Sequence, residues 1–336
     1  MLERVNLKNF GPLQEIDWSN LERINLVLGE NGSGKTFLLK ALYVAVKTLE
    51  SYSRGDDKRS VGEVLFDKLY WTFQTGKLGD IVKKGADGSL FFSVQVDGQN
   101  FQYEFGKDVT KQITSLKNNV IPRQDNSIFL PAKEVLSLQK IILKSREQDQ
   151  EFGFDDTYCD LARALRPPTK GRNFEAFSSA RVQLEKILGG SIVYDESSGR
   201  WIFKEGNTRF SIGSTAEGIK KIGILDTLLG NRYLTPNSIV FIDEPESALH
   251  PTAISQLLDI IVGLAESGIQ FFLASHSYFV VKKLFLLSQQ KNIRIPVLSF
   301  NSGDWEQSDL KDGMVGNPII DESIRLYKEE MEGALQ

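Results

Sequence analysis

Apolar and polar side chains change their period several times along this chain, and each change predicts an element. Leu2–Leu7 alternates at period two, Asn9-Phe10-Gly11-Pro12 reads as a turn, and Ile24–Leu28 is a short apolar run, so the chain opens strand, turn, strand. A glycine-rich loop follows. Thr36–Leu49 is then apolar nearly all round, as expected of a helix buried beneath a sheet. Ser51–Ser60 is polar and is expected to be mobile. Val64, Leu65, Leu69 and Phe73 are spaced for a second helix, over Val64–Phe73. Leu90–Val96 and Phe101–Phe105, joined through Asp97-Gly98-Gln99-Asn100, predict a hairpin, because Asp-Gly accepts the positive φ angles of a tight turn. Ser127–Leu130 is one more short strand, ended by Pro131.

From Glu134 to Leu188 the alternation disappears and helical spacing takes over, broken at Pro167-Pro168. A β-meander is expected at Ile192–Tyr194, Trp201–Lys204 and Thr208–Ile212. Helix (Ile219–Leu229), strand (Ile239–Ile242), helix (Ala253–Glu266), strand (Gln270–Ala274) and helix (Phe279–Ser288) then alternate, the pattern of a parallel sheet with helical crossovers. The expected fold is a two-lobed α/β protein. Residues 1–133 are expected to form an N-terminal lobe of mixed sheet with the glycine-rich loop, 134–190 a helical insertion, and 191–336 a C-terminal lobe with a parallel sheet.

Composition narrows the class. A chain of 336 residues, 41% hydrophobic and 25% charged, can bury a large core. No apolar run approaches the ~20 residues of a membrane-spanning helix, and the start MLERVNLKNF is not built like a signal peptide. The single cysteine, Cys159, permits no internal disulfide, which fits a reducing cytosol, and with two histidines a Cys/His zinc site is excluded. The net charge of −4 gives no electrostatic footprint for DNA. Lys133, Lys140, Lys144 and Arg146, and Lys282–Lys283, read as solvated helix faces.

Two motifs carry chemistry. Gly29-Glu30-Asn31-Gly32-Ser33-Gly34-Lys35-Thr36 fits G-x-x-x-x-G-K-[ST] between a strand and a helix. Backbone N–H groups of Asn31, Gly32, Ser33 and Gly34 can curl round a phosphate, and the helix N-terminus adds its dipole. Lys35 supplies charge for the β- and γ-phosphates of ATP, and the Thr36 hydroxyl is a hard ligand for Mg²⁺. The second motif is Ser238–Pro245, an apolar strand ending in Asp243 and Glu244, where parallel sheets place ligands. Asp243 is expected to hold Mg²⁺ through its water shell, and Glu244 to orient or deprotonate the attacking water. His276, in Ala-Ser-His-Ser after a further apolar strand, can donate to the γ-phosphate. His250 is either a dimer contact or a structural cap.

The phosphate loop, then Asp243-Glu-Pro-Glu-Ser-Ala-Leu-His-Pro251, then Ser275-His-Ser277, resembles the ABC-class ATPases of the RecF, SMC and OLD group, and especially the stand-alone AAA family ATP-binding proteins of bacterial defence loci. The resemblance covers roughly residues 1–50 and 210–335. It implies an ATPase in which two protomers sandwich ATP, as a homodimer or a higher oligomer. It also implies that Asn6–Pro12, with Phe10, lies near the adenine. Ser214–Lys221 matches the family's signature loop, with Glu217 and Gly218 meeting nucleotide held by the other subunit; Ala216 stands where serine is usual, unless Ser214 or Thr215 supplies the hydroxyl. The family's glutamine loop is replaced by Pro131-Ala132-Lys133-Glu134. After His276 too little chain remains for a Toprim nuclease domain, and there is no room for an SMC coiled coil. The implied role is a nucleotide-driven dimer that regulates a protein effector, as in anti-phage defence; the alternative is a RecF-like repair ATPase that binds DNA itself.

Overall fold

The computed structural model describes residues 1–334 apart from 114 and 172. β1 (Leu2–Phe10) and β2 (Leu13–Trp18) pair antiparallel about Gly11 and Pro12. β3 (Ile24–Leu28), buried at every position, runs through the phosphate loop into α1 (Lys35–Ser51). α2 (Val61–Phe73) starts at a capping box in which Ser60 and Glu63 satisfy each other's backbone N–H. β4 (Leu90–Val96), β5 (Gln99–Phe105) and β6 (Ser115–Asn118) extend the first sheet, in the order β2-β1-β4-β5-β6. After β7 (Ile128–Leu130) come α3 (Gln139–Lys144), α4 (Asp156–Ala164) and α5 (Glu175–Leu188). β8 (Ser191–Asp195), β9 (Arg200–Glu205) and β10 (Thr208–Ser211) make the expected meander. The remainder is α6 (Glu217–Gly230), β11 (Ile239–Asp243), α7 (Pro251–Glu266), β12 (Gln270–Ser275), α8 (Tyr278–Lys291), β13 (Pro296–Asn301), β14 (Asp304–Asp309) and α9 (Pro318–Ala334).

The third sheet has the order β14-β13-β3-β12-β11-β7. β13, β3, β12, β11 and β7 are mutually parallel, and only β14 is antiparallel. The parallel sheet is therefore not confined to the C-terminal segment: it takes β3 and β7 from the first 133 residues. The physical reason is burial on both faces, which lets apolar strands pair regardless of their distance along the chain. Alternate residues feed two cores. Leu26, Phe271 and Leu273 point to the side of α5, α6, α7 and α8. Val27, Phe272 and Ala274 point to α1 and the antiparallel sheet. β3 sits between β13 and β12, so the phosphate loop leaves the middle of the sheet beside the ends of β12 and β11.

Several elements were not anticipated. β2 has two consecutive outward residues, Gln14 and Glu15, which break the period-two signal. β6 and β14 are polar edge strands with one apolar residue each, Leu116 and Trp305, too few to show an alternation. β13 and α9 belong to a stretch for which no element was expected. Among the described residues, no helix is long and apolar enough to cross a membrane.

Candidate functional site

The phosphate loop owes its shape to Gly34. Its φ of 97° lies in the left-handed region, and a Cβ there would stand 2.8 Å from the Leu13 side chain. α1 begins at the next residue, with its first N–H groups directed into the loop. Lys35 is buried, and its ammonium donates to the carbonyls of Gly29 (2.7 Å) and Glu30 (2.8 Å). Burial lowers its pKa, against the pull of Asp243, Glu244 and Glu246.

β11 delivers Asp243 beside the start of α1. Thr36 Oγ1 donates to Asp243 Oδ2 at 2.8 Å. Asp243 Oδ1 is buried and has no hydrogen-bond partner among the described residues. Burial pushes the Asp243 carboxyl up, helped by the neighbouring Glu244 carboxylate, while the Thr36 hydroxyl draws it down. A desolvated carboxylate oxygen without a donor, beside a hydroxyl, fits a hard divalent cation such as Mg²⁺.

Glu244 follows with φ of +49°, a left-handed conformation rare for a residue with a side chain. Its N–H donates to the Ala274 carbonyl at 2.9 Å, which ties the turn to β12. Its Oε1 lies 3.5 Å from His276 Nδ1, and both side chains are partly exposed. The structure thus brings Lys35, Thr36, Asp243, Glu244 and His276 to one end of the central sheet.

The roles of two residues in this cluster, Glu246 and Lys221, escaped the sequence reading. Glu246 accepts from Ser275 Oγ (2.8 Å) and from the His276 N–H (3.2 Å), which fixes the histidine's backbone. Lys221, in the second turn of α6, donates to the Asp243 carbonyl (3.2 Å) and to the Glu244 carbonyl. Burial brings its pKa down to about 8, although Glu246, Asp243 and Glu244 oppose the shift. The available signal was a lysine on an otherwise apolar helix face. Lys221 is a positioning residue: it holds the backbone of the turn that aims Glu244. Lys221→Met should lower kcat for ATP hydrolysis about tenfold or more and leave the Kd for ATP within about twofold, because the lost bonds shape the turn and touch no nucleotide. Equal losses in binding and turnover would show a general structural role instead.

The signature-like segment is only partly as expected. Gly218 is buried, and a Cβ on it would meet the Ala248 carbonyl at 2.5 Å and Leu249 Cδ2 at 2.8 Å. Glycine is needed there to pack α6 on the turn after Glu246 in its own chain. Ala216 is the N-cap of α6 and offers no side-chain bond. Ser214 and Thr215 do not replace it, since both hydroxyls donate to the Ser211 carbonyl (2.9 and 3.1 Å). Glu217 is exposed at the helix start and pairs with Lys220 at 2.7 Å. His250 is a cap: its Nδ1 accepts from the Thr252 N–H at 3.3 Å, at the start of α7.

Phe10 requires a correction. Its side chain is fully buried, with the rings of Phe37, Phe73 and Phe92 5.5–6.0 Å away, so it is a core residue and not a platform for a base. The open space on this side of the loop is a cleft of about 500 Å³ lined by Pro12, Gln14, Lys83, Phe300 and Trp305 together with loop residues. It lies towards β13, on the opposite flank of β3 from Asp243 and Glu244. Sequence reading missed it because Phe300 and Trp305 come from the unanticipated β13–β14 hairpin.

A family model described as "AAA domain, putative AbiEii toxin, Type IV TA system" matches residues 24–282. The chain is 26% identical over 155 residues to the DNA replication and repair protein RecF of Limosilactobacillus fermentum, covering 46% of this chain and 37% of that protein. It is 49% identical over 41 residues to the Old nuclease of Escherichia phage P2, covering 12% of this chain and 7% of the nuclease. It thus spans well under two thirds of these relatives. Among solved structures, an Smc head bound to the C-terminal winged-helix domain of ScpA superposes with a TM-score of 0.55 at 13% identity, covering 92% of this chain and 97% of that one. The Smc head with an extended coiled coil, bound to the C-terminal domain of ScpA derived from Pyrococcus furiosus, gives 0.52 at 11% identity, covering 98% and 99%.

Proposed function

The chain belongs to this AAA domain family and is an ABC-class ATPase of the RecF, SMC and OLD group, and from that membership we propose that it binds and hydrolyses ATP as a nucleotide-driven dimer in the cytoplasm, where it regulates a protein effector. One observation carries the hydrolytic reading: the Thr36–Asp243 pair, with its unpartnered buried oxygen, stands beside the Glu244–His276 pair.

Phosphates entering the loop give Lys35 stronger acceptors than the two carbonyls it now holds. Thr36 and Asp243 would hold Mg²⁺, which when bound neutralises charge on the phosphates. Glu244 orients the attacking water and takes up its proton. His276 has Nδ1 towards Glu244 and leaves Nε2 to donate to the γ-phosphate. The cleft beside Trp305 is sized for a nucleoside.

Closure across two copies rests on the start of α6, where N–H groups lack a side-chain cap and can accept a phosphate from outside the chain. Because Gly218 is needed within its own chain, Glu217 is the residue to test. Glu217→Tyr should keep ATP affinity and lose hydrolysis, and Lys35→Ala should lose ATP binding. A mixture of the two has mixed dimers with one intact composite site, so partial activity should return. A mixture as inactive as both parents, with mixed dimers shown to form, would count against independent sites built across two chains.

The toxin–antitoxin wording of the family description and the match to a phage nuclease support a role in anti-phage defence. The RecF matches support a second reading, in which the chain engages DNA directly. The net charge of −4 favours the first. Phosphate release measured with and without duplex DNA separates them: stimulation by DNA would favour the RecF-like reading.

A further inference from the structure

α9 is anchored only at its beginning. Asn317 is buried, donates to Ser299 Oγ at 2.6 Å and caps the helix through the Ile319 N–H, while Ile320 is buried in the core. Beyond that first turn the helix leaves the body of the protein. Ile324, Tyr327 and Met331 are 48%, 62% and 47% exposed. An isolated helix of this length is marginal in water, so an apolar face left bare along it calls for a partner.

The face is ordered. At about 100° per residue, positions 320, 324, 327 and 331 fall within an arc of about 60°, and their 4-3-4 spacing is that of a coiled-coil seam. Asp321 and Lys328 lie on one flank of this seam. Arg325 is on the far side and is occupied within the helix by Glu322 and Glu329.

We propose that α9 docks on α9 of a second copy of this chain, antiparallel about a two-fold axis. The self-complementarity argues for this occupant. When Ile324 is set opposite Tyr327 of the partner subunit, the symmetric layer forms at once, and Met331 reaches the anchored first turn of the partner subunit. The same register brings Asp321 beside Lys328 of the partner subunit, giving two opposite-charge contacts across the axis. A parallel pairing puts the two Asp321–Lys328 flanks on opposite sides of the pair, so these contacts are lost. The contact is small, which places it among weak interfaces on its own. It is separate from nucleotide-driven closure and joins copies whether or not ATP is bound.

The test is sedimentation velocity of the full chain without nucleotide, from about 1 to on the order of 100 µM, the range that reveals weak dimers. The wild type and Lys35→Ala should both show a sedimentation coefficient that rises with concentration. The double variant Ile324→Glu, Tyr327→Glu should stay monomeric; both positions are exposed, so its circular dichroism and ATP affinity should match the wild type. Register is read by oxidising Ile324→Cys mixed with Tyr327→Cys, with wild type, whose Cys159 is buried, as the control. The mixture should crosslink faster than either variant alone. A wild type that stays monomeric throughout would overturn the proposal and leave the face to a different protein. So would association that survives the double variant, or Ile324→Cys crosslinking to itself as fast as in the mixture.

Discussion

Glu244→Gln is expected to bind Mg·ATP as tightly as the wild type and to hydrolyse it at least ~100-fold more slowly, the loss typical of removing a general base. The substitution preserves shape and removes the charge. The surrounding bonds survive it, because Glu244 is held by backbone: its N–H donates to Ala274 and its carbonyl accepts from Lys221. The loop, Thr36 and Asp243 remain in place, so nucleotide affinity has no reason to fall. The contact with His276 changes from a carboxylate to an amide, which leaves Glu246 Oε1, at 3.7 Å, as the carboxylate beside that ring. The variant should therefore accumulate with ATP bound, in the closed form. Single-turnover hydrolysis alongside equilibrium binding checks both halves. Undiminished hydrolysis would mean that another group, Glu246 being nearest, positions the water.

The residues proposed to act on phosphate were legible because chemistry dictates both their type and their place. A glycine loop between strand and helix, and two carboxylates at the end of an apolar strand, have few other uses, and the structure brings them together as the motifs require. What supports them was not legible. Lys221 is recognisable only once α6 is seen to cross behind β11. Glu246 and Ser275 lie far apart along the chain and meet because β11 and β12 are neighbours. Phe10 misled because a motif position indicates location in the fold, whereas burial depends on which aromatic residues surround it, here Phe37, Phe73 and Phe92. Strand pairing was the largest gap. Periodicity marks β3, β7, β11 and β12 as strands, but their order in one sheet depends on contacts between distant segments.

The same limit hid the charges beneath α1. Lys68 of α2 is buried and donates to Asp156 Oδ2 and Asp160 Oδ2 of α4, each at 3.0 Å. Tyr43 of α1 donates to Asp160 at 2.8 Å, and Arg146 and Arg163 reach the outer oxygens of the two aspartates. Lys40, further towards the phosphate loop on α1, holds Asp155 at 2.6 Å. The helix that starts at Lys35 is thereby locked to the helical segment. Burial alone would push Asp160 up, but Lys68 and Lys47 outweigh it and hold the carboxyl well below its usual range. Lys68→Met should lower stability at pH 7 by about 3 kcal/mol, the lower end of what removing one partner of a buried pair costs, since Arg146, Arg163 and Tyr43 remain. The sign of its pH dependence follows from the charges. In the wild type the depressed Asp160 contributes stability above its unfolded pKa of about 4, and that contribution fades as pH falls towards its folded value. In the variant Asp156, which burial and the neighbouring Asp160 already raise, also loses the opposing pull of Lys68, so its protonation relieves the folded state as pH falls. Both effects narrow the gap between the proteins in acid. Urea unfolding at pH 7 and near pH 4.5 should show the difference shrinking at the lower pH; a gap that is constant or wider there would assign the loss to packing and not to buried charge.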